Sequence, residues 1–232
     1  MNSTSQQVIG RLLVLATALC ASGVALAHGV AGSDAAYVAS SRGVNVFPFM
    51  YLGAKHMVTG YDHLLFLAGV IFFLYRLKDV ALYVTLFAVG HSTTLLAGVL
   101  GGIHANAYIV DAIIGLSVAY KAFENLGGFR KLGWQIDTRF AVLAFGFAHG
   151  FGLATKLQEL SLSPEGLAAN LVSFNVGVEL GQLAALGIIL LAFNFWRRSR
   201  TFLSGAWTAN VLIMAAGFVL IGYQLAGYWR GA

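Results

Sequence analysis

The chain has 232 residues, of which 59% are hydrophobic and 10% charged, and its mean hydropathy is +0.79. Soluble domains are usually about a quarter charged, so this composition excludes an ordinary soluble protein and implies a polytopic, all-α membrane protein. The 14 Lys and Arg against 9 Asp and Glu do not indicate a nucleic-acid binder, because the basic residues fall in short connections between apolar runs.

Residues 1–27 have the form of a secretory signal: Arg11, then the apolar run "LLVLATALCASGVALA", then the small-residue end Ala25-Leu26-Ala27. Cleavage there leaves His28 as the mature amino terminus. The only cysteine, Cys20, lies within the signal, so the mature chain is expected to hold neither disulfides nor thiolate metal sites. Residues 28–47 read as a short mixed segment outside the membrane.

A bilayer-spanning helix needs about 20 mainly apolar residues. Six segments of 28–232 qualify, near 56–75, 79–102, 106–126, 138–158, 167–195 and 204–228. The connections after the first, third and fifth carry Arg76 and Lys78, then Arg130, Lys131 and Arg139, then Arg197, Arg198 and Arg200. The other two connections have little net positive charge, Lys156 being balanced by Glu159 and Glu165. The positive-inside rule therefore puts both mature termini outside a bacterial inner membrane, as a cleaved signal also requires. "FAVGHSTTLLA" (87–97) and "FGFAHGFGLAT" (145–155) share F-x3-H-x3-L on helices that run the same way, the pattern of a parallel internal repeat.

Ionisable groups inside a membrane are expensive and by default face a partner or a pathway. His56, Gly60 and His63 are spaced i, i+4, i+7, which on a continuous helix puts them on one face, with Gly60 leaving room beside the imidazoles. Asp62 points away from that face, as a carboxylate that orients a ligand would. His91 and His149 fall halfway along the second and fourth spans. Asn175, Glu179 and Gln182 form a polar stripe on the fifth, and Ser117, Tyr120 or Lys121, and Glu124 another on the third. Three central histidines on three helices, with Asp62 and Glu179, suit Ni²⁺, Zn²⁺, Co²⁺ or Fe²⁺; Cu⁺ prefers sulfur ligands. Taken singly, each group has a plainer explanation. A lone histidine can serve as an interhelical hydrogen-bond donor, Ser92 and Thr93 can bond their own helix backbone, and Lys121 with Glu124 can be a structural ion pair. His104, in a connection, is expected to be solvated.

"HMVTGYDHLLFL", "GHSTTLLAG", "AFEN" and "HGFGLA" resemble the HupE/UreJ family of hydrogenase and urease accessory membrane proteins. The resemblance extends over most of the mature chain and implies a nickel permease of about six helices. It matches His56, Gly60, Asp62 and His63 to a metal entry motif, H-P-x-x-G-x-D-H. Met57 stands in place of the proline, and "FAHGFG" lacks the acid that follows A-H-G in nickel members, which places the chain on a divergent branch.

The expectation is a permease for a divalent metal, nickel first, working without a nucleotide-binding motif. His28, His56, Asp62, His63, His91, His149 and Glu179 would be ligands, and Gly60, Ser92, Glu124, Asn175 and Gln182 would support the path. Two other readings stay open. One is an accessory subunit of a larger membrane complex or homo-oligomer, and the other an intramembrane zinc hydrolase, in which Ser92 would stabilise an oxyanion.

Overall fold

The computed structural model describes residues 33–160 and 163–231, so the expected signal segment and His28 lie outside the described residues. Among the described residues every regular element is a helix: α1 (Ser33–Ser40), α2 (Val46–Thr59), α3 (Tyr61–Ile71), α4 (Leu77–Leu100), α5 (Ala107–Asn125), α6 (Gly128–Lys131), α7 (Thr138–Gln158), α8 (Leu167–Arg197) and α9 (Phe202–Arg230). Four of them, α4, α7, α8 and α9, are long and apolar enough to cross a membrane. The 19-residue α5 carries Asp111, Lys121 and Glu124 within its length, which lowers its apolar character.

The span expected at 56–75 is corrected by the structure. The helix begins ten residues earlier, at Val46, and breaks at Gly60, where φ −73° and ψ 104° extend the backbone for one residue before α3 starts. At a rise of 1.5 Å per residue the two pieces together reach about 39 Å, enough to cross a bilayer as one interrupted element. The apolar periodicity reads straight through the break because α2 and α3 are both apolar. The segment expected to be irregular before residue 47 also contains α1, whose Val38 is buried.

Three helix pairs carry most of the packing: α2 with α8, α4 with α7, and α5 with α9. Glycines set the spacing of the first two. A Cβ at Gly177 would collide with the Met50 carbonyl oxygen, and one at Gly150 with that of His91. Such small residues let helices approach closely where lipid gives no hydrophobic drive for association. The contacts of Gly177 with Met50 and Gly181 with Ala54, and of Gly146 with Phe87 and Gly150 with His91, run in the same chain direction. Each of these two pairs is therefore parallel. The two F-x3-H-x3-L segments thus lie side by side on α4 and α7.

Helix ends follow local chemistry. Asn106 accepts from the Ile109 amide at 3.2 Å at the start of α5, and Asp137 accepts from the Arg139 amide at 2.9 Å at the start of α7. That backbone bond, aided by the Arg139 side chain, holds the exposed Asp137 carboxyl below the usual range. The end of α3 is closed from another helix: the Arg197 guanidinium donates to the carbonyls of Ile71 at 2.6 Å and Phe72 at 2.8 Å, and lies over the Tyr75 ring. Arg197 therefore seals a helix end as well as adding to the basic bias of its connection.

The glycine contacts generate a stability prediction. Gly150→Ala and Gly177→Ala should each lower stability by about 1–3 kcal/mol, the usual cost of overpacking. Gly187→Ala, where a Cβ meets nothing within 4 Å, should be neutral. Thermal unfolding in detergent, followed by size-exclusion chromatography, separates the two classes.

Candidate metal-binding site

The break at Gly60 builds the centre of the site. As α3 restarts, Asp62 Oδ1 accepts both the His63 amide at 2.9 Å and the His63 ring Nδ1–H at 3.0 Å. A carboxylate in the first turn of a helix is also favourably placed against the helix dipole. Gly60 leaves space for this loop-back, since a Cβ there would fall 2.8 Å from His63 Nδ1 and 3.1 Å from Asp62 Oδ1. His56 and His63 do not share the face of one helix, as their spacing suggested; they face each other across the break, with ring centres 5.1 Å apart.

His63 is the hub. Its ring centre is 5.0 Å from that of His149 on α7 and 6.0 Å from that of His91 on α4. The three rings are 4%, 1% and 1% exposed, so water does not serve them. His149 donates its Nδ1–H to the Phe145 carbonyl at 2.8 Å, which leaves Nε2 with a bare lone pair. The Asp62 bond does the same for His63. In all, Nε2 of His56, His63, His91 and His149 is buried with no hydrogen-bond partner. Buried polar atoms are normally paired, and four unpaired atoms of one kind in one place are unusual.

Phe66 and Phe87 wall the cluster, with ring centres 5.3 and 5.0 Å from that of His149. The space left is small: a cavity of about 10 Å³ lined by His63, Met57, Phe66, Phe87 and Gln182, among others. Two imidazoles bound to one ion through bonds of about 2.0–2.1 Å would have ring centres roughly 5 Å apart, close to the spacings seen. Among the described residues, no group of three or more His, Cys, Asp or Glu is already positioned to hold an ion. The rings are gathered, and their nitrogens have still to turn to a common point.

The remaining expected residues lie around this centre. Glu179 is exposed, in a groove against α4, where its Oε1 lies 3.5 Å from Ser92 Oγ. Ser92 also accepts from Asn175 Nδ2 at 2.8 Å, so it joins side chains on another helix, whereas Thr93 bonds its own backbone at Val89. Gln182 is buried and its Nε2 is unpartnered. Glu124 pairs with Lys121 at 2.7 Å and accepts from Thr138, and Ser117 bonds back to Ile114. His104 is exposed in its connection.

One ion pair was not legible in the sequence. Lys156 does not balance Glu159 and Glu165; it reaches Asp111 on α5 at 2.8 Å, where Gln224 of α9 also donates. The pair is largely buried, and Lys156 is close enough to act electrostatically on His56, Asp62 and His149. The two residues are 45 positions apart, and Asp111 carried no motif to single it out.

The fold and this site define a helical membrane protein with a buried imidazole cluster at a broken helix. The chain belongs to the HupE / UreJ protein family, whose model matches residues 32–231. No curated protein and no solved structure matches it.

The Asp111–Lys156 pair yields a second expectation. Asp111→Asn alone leaves a buried lysine unpaired and should cost about 3–5 kcal/mol, whereas Asp111→Leu combined with Lys156→Met should recover most of the loss. Unfolding midpoints of the single and double variants decide this.

Proposed function

We propose that the chain is a permease that carries a divalent transition metal, nickel first, into the cell for metalloenzyme maturation, with Zn²⁺, Co²⁺ and Fe²⁺ as the other candidates. The observation that carries the reading is the gathering of four imidazole rings around His63 beside a helix break, each with a buried, unpartnered Nε2. Neutral imidazole lone pairs are what such ions bind, and discontinuous helices are a recurrent way to build substrate sites near the membrane midplane. Membership of the HupE / UreJ family supports a role beside metalloenzymes.

In this reading residues 1–27 act as a cleaved export signal and residues 28–232 form the transmembrane domain. His28 and His56 collect the ion, and His63, His91 and His149 hold it in passage. Asp62 raises the basicity of His63 and fixes its tautomer. The crossings number six, the α2–α3 pair counting as one with α4, α5, α7, α8 and α9, and both mature termini lie outside. A cavity of about 10 Å³ is roughly the room of one water. It borders the cluster at His63 alone among the four rings, and an ester substrate would need far more room, which weighs against the hydrolase.

His63→Ala and His149→Ala should abolish metal binding by the purified protein and uptake by cells, with expression unchanged, whereas His104→Ala should do neither. Asp62→Asn should weaken binding about 10–100-fold, the usual effect of losing a carboxylate that orients a histidine ligand. Calorimetry with Ni²⁺ measures both, and unchanged affinity in His63→Ala would refute the site. For the topology, Gln135→Cys, in the exposed 132–137 connection, should resist an impermeant thiol reagent in intact cells and react once the membrane is opened.

A further inference from the structure

The histidine cluster leaves a second group of polar atoms unused. Between α4 and α8 the surface opens into a groove of about 420 Å³, whose lining includes Thr85, Val89, Ser92, Glu179, Gln182 and Leu183. Glu179 is exposed there, amid the exposed apolar side chains of Val89, Val176, Leu180 and Leu183. It lies twelve residues into the long apolar α8, about 18 Å from that helix's start. An ionised carboxylate facing hydrocarbon at that depth is strongly disfavoured unless a cation accompanies it.

No basic side chain lines the groove among the described residues. The α4 side offers Thr85, Ser92 and Thr93, which do not ionise in the ordinary range. On α2, which packs along α8, Lys55 is paired with Asp34 at 2.6 Å, and His56 belongs to the imidazole cluster. The polar contacts that do exist point in one direction. Asn175 Nδ2 donates to Ser92 Oγ at 2.8 Å, and the Ser92 hydroxyl proton goes to Glu179 Oε1 at 3.5 Å. That ordering uses the amide nitrogen of Asn175 and leaves its carbonyl oxygen buried without a donor, in a side chain only 8% exposed. The unpartnered Asn175 carbonyl oxygen, the Ser92 hydroxyl and the Glu179 carboxylate together make a set of hard oxygen donors.

We propose that Glu179, Ser92 and Asn175 form a second cation site, separate from the imidazoles, for a hard monovalent cation, either Na⁺ or a proton. An all-oxygen donor set of low charge suits such an ion, whereas transition metals favour the imidazoles. The two sites are physically joined. Ser92 directly follows His91 in α4, and Asn175 donates to Ser92. Loading the groove would therefore be felt at a ring of the metal cluster. That coupling rests on the permease reading; cation binding itself does not.

A hydrophobic carbodiimide, which modifies protonated carboxyl groups in apolar surroundings, tests the site in the full chain reconstituted in liposomes. Peptide mass spectrometry should find Glu179 modified, and Glu179→Gln should remove that product. Labelling slowed several-fold by Na⁺ at fixed pH identifies sodium. Labelling that falls several-fold as pH rises, indifferent to Na⁺, identifies the proton. Ser92→Ala should shift the Na⁺ or pH dependence of labelling while leaving Glu179 reactive. The proposal is overturned if Glu179 stays unmodified throughout, if its labelling ignores both Na⁺ and pH, or if Ser92→Ala moves neither profile. Ni²⁺ calorimetry on the Glu179→Gln protein keeps the two readings apart. Retained nickel binding with lost cation-dependent labelling supports two separate sites, and loss of nickel binding in Glu179→Gln overturns their separation. Absent nickel binding in the unaltered protein refutes the permease and leaves the labelling result standing.

Discussion

Everything in this molecule hangs on a backbone that must satisfy itself. Inside a bilayer no water is available to exposed amides and carbonyls, so an interrupted helix survives only where neighbouring groups take over the lost bonds. At Gly60 they do. The Gly60 amide bonds to the His56 carbonyl at 2.9 Å, the Leu64 amide to the Gly60 carbonyl at 3.1 Å, and the Asp62 carboxylate receives the His63 amide. The far end of α3 is closed by Arg197. The same carboxylate that repairs the backbone also orients the His63 ring, so helix break and site chemistry are one construction. Removing the carboxylate would disturb both.

The break is held in place by packing that only small residues allow. α2 lies against α8 through Gly177, and α4 against α7 through Gly150. These parallel contacts set the depth at which His56, His91 and His149 meet His63. Polar groups outside the centre are kept in separate layers. Asp111, Lys156 and Gln224 lie towards the end bearing the 159–166 connection, and Lys121, Glu124 and Thr138 towards the basic connections. Between them the aromatic rings of Phe66, Phe87 and Phe145 close around the imidazoles. Apart from Asp62 at the break and Glu179 in the α4–α8 groove, these charged groups are paired at the flanks, and imidazole rings with unpartnered Nε2 atoms fill the middle. That distribution keeps most charge out of the apolar layer while leaving donor atoms there.

Most of the helices could be read directly, because length and hydropathy decide a membrane span; Thr138–Gln158 is found at its expected bounds. The histidines stood out for the same reason, since few side chains in such spans are ionisable. The break was misread because a single extended glycine leaves no mark on hydropathy, and because i, i+4, i+7 spacing is meaningful only while the helix continues. Glu179 was grouped with the histidines on chemistry alone. The rotation of α8 turns it to the groove while Asn175 and Gln182, on the same expected stripe, remain buried. Asp111 was missed altogether, because a partner 45 residues away follows from tertiary packing and has no local signature.

The four rings are not equivalent, and their differences bear on how an ion would move. His63 is backed by a carboxylate and His149 by a neutral carbonyl. His56 sits in the last turn of α2 and is partly buried, with its Nε2 enclosed, whereas His91 is packed against Phe87, with ring centres 6.0 Å apart. An ion approaching from the His56 side would meet the least buried ring first, then the carboxylate-backed one, then the two deepest. A permease needs binding strong enough to strip hydration and weak enough to release the ion onward. On the permease reading, rings with unlike partners around a single hub would suit that requirement better than four equal ligands, since four equal imidazoles closing on one ion would make a trap. On the permease reading, Asp62 would tune transport through its hold on the backbone and ring of His63.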